Sequence, residues 1–427
     1  MRRRRRGQRV GAVVGLLGAT AVSVAAGLLP GRPERHAPVW LFGRPATSSG
    51  AEAVAGTMFL VGVGLLTLAW VLLVRSEPSV RRAVGTGLLW SLPLLINTPA
   101  ASHDIHAYLA QGMLLREHLD PNVYGPHELA PNVIVAAVDP LWRGVPAPYG
   151  PLALGVSRLA AAVGVHSQIG GLLVLRVVAC LGVAVAAWCV LRLTSERRGS
   201  TLALVAASPL TLIAIVSAAH HEGLLIGLVM LALLAHRQGW PTTAYALAAA
   251  AALVKVPGLV ALGGLVVVDL WSATWPGRVL VSARAAVACA VPLALGALLV
   301  PDPLGWINAL STPGLGHTKW APVQLAVTYL PGGKGFWRPG MQGVAVVIVL
   351  TLYATARRRP VSATVGWGLL AVALLGPVLY PWYLVPPAFV LATTSGGAGR
   401  RVARLAGGLA QGIGLPRLGN VGLLIGR

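Results

Sequence analysis

The chain has 427 residues, 56% of them apolar and only 11% charged, with a mean hydropathy of +0.74. Soluble domains run about 45–50% apolar and about 25% charged, so 12 acids and 34 bases cannot cover a soluble fold of this size, and a disordered chain is excluded too. What remains is an all-α, polytopic membrane protein; its net charge of +22 does not imply nucleic acid, because the bases form no stripe with interleaved aromatics.

Met1 is followed by Arg2 to Arg6 and Arg9, then by an apolar run from Val10 to Pro30. Arginines ahead of so long a run predict an uncleaved signal anchor with its start inside. Further runs follow at 53–74, 83–100, 169–193, 201–219, 223–235, 242–254, 258–271, 279–300, 340–356, 361–380 and 383–395. Together they predict about twelve transmembrane helices, several of them short for a full crossing. Residues 1–395 then form one membrane domain, and 396–427 a basic, Gly-rich cytoplasmic tail. Cys180, Cys189 and Cys289 all lie inside apolar runs and show no metal or disulfide spacing.

Alternating the runs from an inner start places 23 of the 34 basic residues inside. The positive-inside rule asks for this bias. Nine of the 12 acids and nine of the ten histidines fall outside or at outer helix ends. The cytoplasmic face therefore holds anchors, and the chemistry is expected on the extracytoplasmic face of the cytoplasmic membrane.

The outer loop 101–150 carries the densest polar signal: His103-Asp104-Ile105-His106-Ala107-Tyr108, then Ala110-Gln111-Gly112. Residues 104–118 have helical spacing, with Ile105, Leu109 and Met113 as one stripe, which predicts a helix lying in the membrane interface. Asp120-Pro121 breaks it. Asp139-Pro140-Leu141-Trp142 and Pro146-Ala147-Pro148-Tyr149-Gly150-Pro151 predict a rigid loop on the membrane face. Later outer turns hold His220-His221-Glu222, Lys255-Val256-Pro257, Ser311-Thr312-Pro313-Gly314 with His317 and Lys319, and Tyr380-Pro381-Trp382-Tyr383. Singly these have plain readings: Asp104 as a helix cap, Lys255 snorkelling to the surface, the aromatics as an interfacial belt. Together they converge on one face, as a site for a lipid-borne anion.

These motifs, in this order over roughly residues 80–390, resemble the actinobacterial polyprenol-phosphomannose-dependent α-1,6-mannosyltransferases. The resemblance implies a GT-C glycosyltransferase fold with interfacial helices in the outer loops. It implies a polyprenyl-phosphate mannose donor and a mannan glycolipid acceptor, as in lipomannan or lipoarabinomannan assembly. The chain departs from the pattern at His220-His221-Glu222, where the family reads His-Asn-Asp. A β-linked donor and an α-linked product imply inversion, hence one general base, and Asp104 is the candidate. The leaving phosphate needs positive charge rather than an acid; Lys255, His220, His221, His317 and Lys319 are the available groups. His103, His106, Tyr108, Tyr149, Glu222, Trp382 and Tyr383 complete the expected substrate site. No metal, cofactor or nucleic acid is expected. The competing readings are another polyprenyl-phosphate sugar transferase (arabinosyl or protein O-mannosyl) and, from a different class, a transporter of lipid-linked sugars.

Overall fold

The computed structural model describes residues 2–28, 48–164, 167–316 and 318–394, with side chains from residue 9. The expected tail at 396–427 and His317 lie outside the described residues. Among the described residues the fold is helical throughout, without a strand. In chain order the first helices are α1 (Arg2–Leu28), α2 (Ser49–Arg75), α3 (Val80–Leu95) and α4 (Asp104–Arg116). Two short helices follow, α5 (Val133–Ala137) and α6 (Pro140–Arg143), and then α7 (Pro151–Gly164), α8 (Gln168–Leu193) and α9 (Arg198–Val205). A π-helical segment, Thr211–Ser217, leads into α10 (Glu222–Arg237). The remainder are α11 (Pro241–Ala252), α12 (Gly258–Ser272), α13 (Trp275–Ala297), α14 (Pro322–Tyr329), α15 (Gly333–Ala354), α16 (Val361–Leu375) and α17 (Val385–Ala392).

Five described helices are long and apolar enough to cross a membrane: α1 over Arg9–Leu28, α2, α8, α13 and α15. A sixth span results if Thr211–Ser217 and α10 are taken as one helix broken by a 107° bend. The remaining apolar runs fold as shorter helices, α12 and α16 of 15 residues among them. At 1.5 Å per residue, 15 residues cover about 22 Å of a core about 30 Å thick. Apolar composition marks burial, and only length marks a crossing, which is why twelve runs do not give twelve long helices. The apolar helix α7 lies in a stretch not counted among those runs. The helix from Asp104 forms as expected, yet it is not a one-faced interfacial helix: residues 104 to 112 are buried on every side.

Small residues let the helices approach. A Cβ at Gly182 of α8 would fall 2.0 Å from the Gly223 carbonyl oxygen of α10, so that crossing admits no side chain. Gly112 plays the same part where α4 meets α7: its Cβ would fall 1.9 Å from the Ser157 carbonyl oxygen. The bundle also has two distinct ends. At one end Arg197 pairs with Glu77 at 3.0 Å, His236 meets Asp269 at 2.9 Å, and Arg237 donates to the Leu193 carbonyl. The other ends of α10, α11 and α12 carry Glu222, His220 and Lys255. Arg197, Glu77, His236, Asp269 and Arg237 thus lie at one end of these helices, and Glu222, His220 and Lys255 at the other.

Candidate active site

The site is assembled from the broken ends of helices. Asp104 opens α4, and its backbone N–H donates to Ser102 Oγ at 3.3 Å. His103 is the N-cap residue, without a side-chain capping bond. A carboxylate in a first helical turn faces the positive end of the helix dipole. Asp104, Tyr108 and Gln111 are spaced i, i+4 and i+7, so they share one face of α4, and all three line the same cavity.

The bend before α10 supplies the second wall. Ala219 turns there with φ +56°, which puts His220, His221 and Glu222 at the mouth of the break. The Tyr108 hydroxyl lies 2.9 Å from His220 Nδ1, and Asp104 Oδ2 lies 3.8 Å from the same nitrogen. The His220 ring stacks on Trp382 at 3.8 Å, and Trp382 stacks on Tyr380 at 4.7 Å. His221 stacks on Tyr108 at 4.0 Å and meets the edge of Tyr149 at 5.0 Å. Burial pushes the Tyr108 and Tyr149 phenols well above their ordinary range. Both therefore stay protonated at neutral pH, as neutral hydrogen-bond donors.

Lys255 sits in the turn between α11 and α12. It is 8% exposed, and Nζ lies 2.5 Å from Glu222 Oε1. It also lies over the Tyr383 ring at 4.4 Å and the Tyr149 ring at 5.4 Å. Burial is the largest influence and lowers its pKa, but Glu222, Tyr149 and Asp104 together outweigh it, so the pKa is raised and the ammonium stays charged. The plain expectation for this lysine, snorkelling to the surface, does not hold. It has instead found an anion, and the glutamate at the position where the sequence departs from the family pattern is that anion.

Seven of the expected residues line one cavity of 460 Å³: Asp104, Tyr108, Tyr149, Glu222, Lys255, Trp382 and Tyr383. His220 and His221 are buried behind its aromatic wall, where they hold Trp382, Tyr108 and Tyr149 in place. His103 and His106 meet each other edge to face at 6.0 Å, and neither lines the cavity. Lys319 is exposed and does not reach it either. The cavity is also lined by Gln111, Trp142, Tyr380 and Thr312, which the sequence places in the outer motifs but to which it assigns no site role. Helical spacing from Asp104 was the available signal for Gln111. Arg338 was missed. A Cβ on Gly314 would lie 3.6 Å from its Nη1, which places a guanidinium beside the Ser311–Gly314 turn.

Away from the polar groups the cavity runs on as an apolar slot. Val260 of α12, Val346 and Val349 of α15, and Leu369 and Val372 of α16 line it. Between them, the polar half and the slot fit a ligand with a polar head and a hydrocarbon tail.

Residues 12–271 match a family model described as "Alpha-(1->6)-mannopyranosyltransferase, N-terminal domain". Full-length comparison agrees. The chain is 30% identical to alpha-(1->6)-mannopyranosyltransferase A of Mycobacterium tuberculosis, over 92% of this chain and 82% of that protein. It is 29% identical to a probable alpha-(1->6)-mannopyranosyltransferase of Mycolicibacterium smegmatis, over 85% and 75% respectively. It is 27% identical to alpha-(1->6)-mannopyranosyltransferase B of Corynebacterium glutamicum, over 76% and 63%. No solved structure matches the chain.

Proposed function

Because the chain belongs to the alpha-(1->6)-mannopyranosyltransferase family and is a membrane mannosyltransferase, we propose that its donor is polyprenyl-phosphate mannose and its acceptor a mannan glycolipid. The observation that carries this reading is the continuity of one cavity. A carboxylate, an ammonium and aromatic walls form its polar half, and an apolar slot leads away from them. A nucleotide sugar has no use for such a slot; a polyprenyl chain does.

The transfer is a single in-line displacement with inversion. Asp104 takes the proton from the acceptor hydroxyl as that oxygen forms its bond to C1 of the mannose. The bond from C1 to the phosphate oxygen breaks, and the electron pair leaves with polyprenyl phosphate. Lys255 has three N–H donors. Glu222 engages one, and the others are available to the phosphate as its charge grows. Tyr149, Trp382 and Tyr383 offer ring faces to the sugar. The fold is of the GT-C class, and the cavity opens on the extracytoplasmic side, as the charge bias supports.

The test is transfer in vesicles containing the purified protein. Radiolabelled polyprenyl-phosphate mannose and a synthetic α-1,6-linked dimannoside should give an elongated, α-1,6-linked product. GDP-mannose should give none. Transfer from the nucleotide sugar, or from polyprenyl-phosphate arabinose in preference to mannose, would overturn the assignment.

A further inference from the structure

Gln111 is 7% exposed and lines the cavity on the same face of α4 as Asp104 and Tyr108. Its Oε1 is buried without a hydrogen-bond partner among the described residues, and its amide nitrogen donates to none of them. The other buried primary amides differ. Asn97 donates to the Ser23 carbonyl at 2.7 Å, and Asn122 donates to the carbonyls of Ala147 and Tyr149. Among the described buried amides, Gln111 alone has both ends unengaged. Its Oε1 is a buried orphan, as are Asn97 Oδ1 and Asn122 Oδ1, but only Gln111 also keeps an unengaged N–H with open surface on the cavity; an orphaned buried acceptor is costly, and native interiors rarely keep one without a ligand or ordered water.

Where this amide sits decides what satisfies it. It is on the wall of the cavity's polar half, one turn beyond Tyr108, and not in the apolar slot. A carboxamide offers a donor and an acceptor side by side. A lipid tail can use neither, and a phosphate can use only the donor. A sugar hydroxyl both gives and accepts a hydrogen bond, so it can take the open N–H and, once the carboxamide rotates, satisfy the enclosed oxygen too.

We propose that the Gln111 carboxamide hydrogen-bonds a ring hydroxyl of one of the two hexoses at the reaction centre and so sets which hexose is accepted. The proposal rests on the transferase reading above. The hydroxyl belongs either to the donor mannose or to the terminal acceptor mannose, and the two are separable by experiment.

The experiment measures kcat/KM for the full chain in vesicles. The parent pair is polyprenyl-phosphate mannose with the α-1,6-dimannoside. One arm replaces the donor by its 2-, 3-, 4- and 6-deoxy congeners; the other replaces the acceptor by congeners deoxygenated at single positions other than the reacting hydroxyl. The wild-type protein should reject one congener by about tenfold to a hundredfold, the loss expected when a buried amide is left unpaired. Gln111→Leu, similar in size and without either polar end, should react with the parent about as slowly as the wild type does with that congener. Its discrimination against the congener should fall to within about threefold. The arm in which this happens says which hexose is read. Gln111→Glu keeps acceptor oxygens but loses the amide donor, so it should discriminate to an intermediate degree. It serves as the deciding variant if Gln111→Leu does not give a monodisperse protein. Unchanged discrimination against every congener in whichever variant folds overturns the proposal, as does a wild type that rejects none. A wild type inactive on the parent pair sinks the transferase reading first, and this inference with it.

Discussion

Removing the Lys255 charge separates a structural role from a binding role only if Glu222 is changed with it. Nζ and Oε1 lie 2.5 Å apart, and both residues are buried, at 8% and 1% exposure. Lys255→Met alone leaves a buried carboxylate without its cation, which costs about 3–5 kcal/mol. The single variant should therefore lose stability whatever the lysine does for the reaction. Lys255→Met combined with Glu222→Gln removes both charges at nearly constant volume. Replacing both members of a buried pair is often neutral or stabilising, so the double variant should regain the wild-type melting temperature. The informative measurement is then donor-dependent transfer in that stable double variant. A charge-assisted contact to phosphate contributes about 1.5–3 kcal/mol, so kcat/KM for the lipid donor should fall by about 10- to 150-fold. A double variant with restored stability and near-normal transfer would refute the phosphate role. Lys255 would then be a buried strut between the α11–α12 turn and α10.

Three further outcomes follow from the same geometry. Asp104→Asn retains the size of the side chain but not the base; transfer should fall by at least about 10²-fold with an unchanged melting temperature, and turnover near wild type would remove Asp104 from the chemistry. In a chain cleared of Cys180, Cys189 and Cys289, a membrane-impermeant thiol reagent added outside should label Ala130→Cys and spare Glu196→Cys, both exposed positions; the reverse pattern would invert the proposed orientation. Gly182→Val places a branched side chain where a Cβ already falls 2.0 Å from the Gly223 carbonyl oxygen, so the helix pair should not seat, and the protein should run as an aggregate on size exclusion. A monodisperse, active Gly182→Val protein would show that the crossing is not as tight as described.

The outer-end residues were legible in the sequence because polar groups are costly between apolar runs. Asp104, Glu222 and Lys255 stand out for that reason alone. Their pairing was not legible. Lys255 and Glu222 lie 33 positions apart on successive hairpins, and no spacing rule joins them. That the histidines lie behind the cavity wall was not legible for a related reason. His220 and His221 follow a π-helical segment and an αL alanine, and both features shift which way the next side chains point. Helical phase therefore cannot be carried across the break, and the two imidazoles end up behind the aromatic wall. Arg338 was hidden by its surroundings, Gly333 to Gly340 with Pro339, which read as loop. In the structure α15 begins at Gly333 and carries Pro339 within it, so Arg338 shares a helix with the slot-lining Val346 and Val349.

The same break explains why the site sits where it does. Ala101 and Ala219 both adopt left-handed backbone, with φ of +64° and +56°, three residues before Asp104 and one before His220. Such a conformation at a residue other than glycine costs of order 1–3 kcal/mol each and persists only where the surroundings enforce it. Arg176 of α8 braces the segments that lead into both alanines. Buried at 2% exposure, it donates to the Ser217 carbonyl through Nε and Nη2, and through Nη1 to the carbonyls of Leu95 and Asn97. Ser217 Oγ in turn accepts from the Ala100 N–H at 3.0 Å. One guanidinium thus ties the chain leaving α3, four residues before Ala101, to the end of the π-helical segment, two residues before Ala219. Helix ends that must expose carbonyls inside an apolar bundle need such a donor. Those ends in turn carry the carboxylate and the imidazole that face each other across 3.8 Å. An arginine in the middle of an apolar run is therefore a pointer to the site even though it does not line it. It marks where helices stop inside the membrane domain, and the polar chemistry is mounted at those stops.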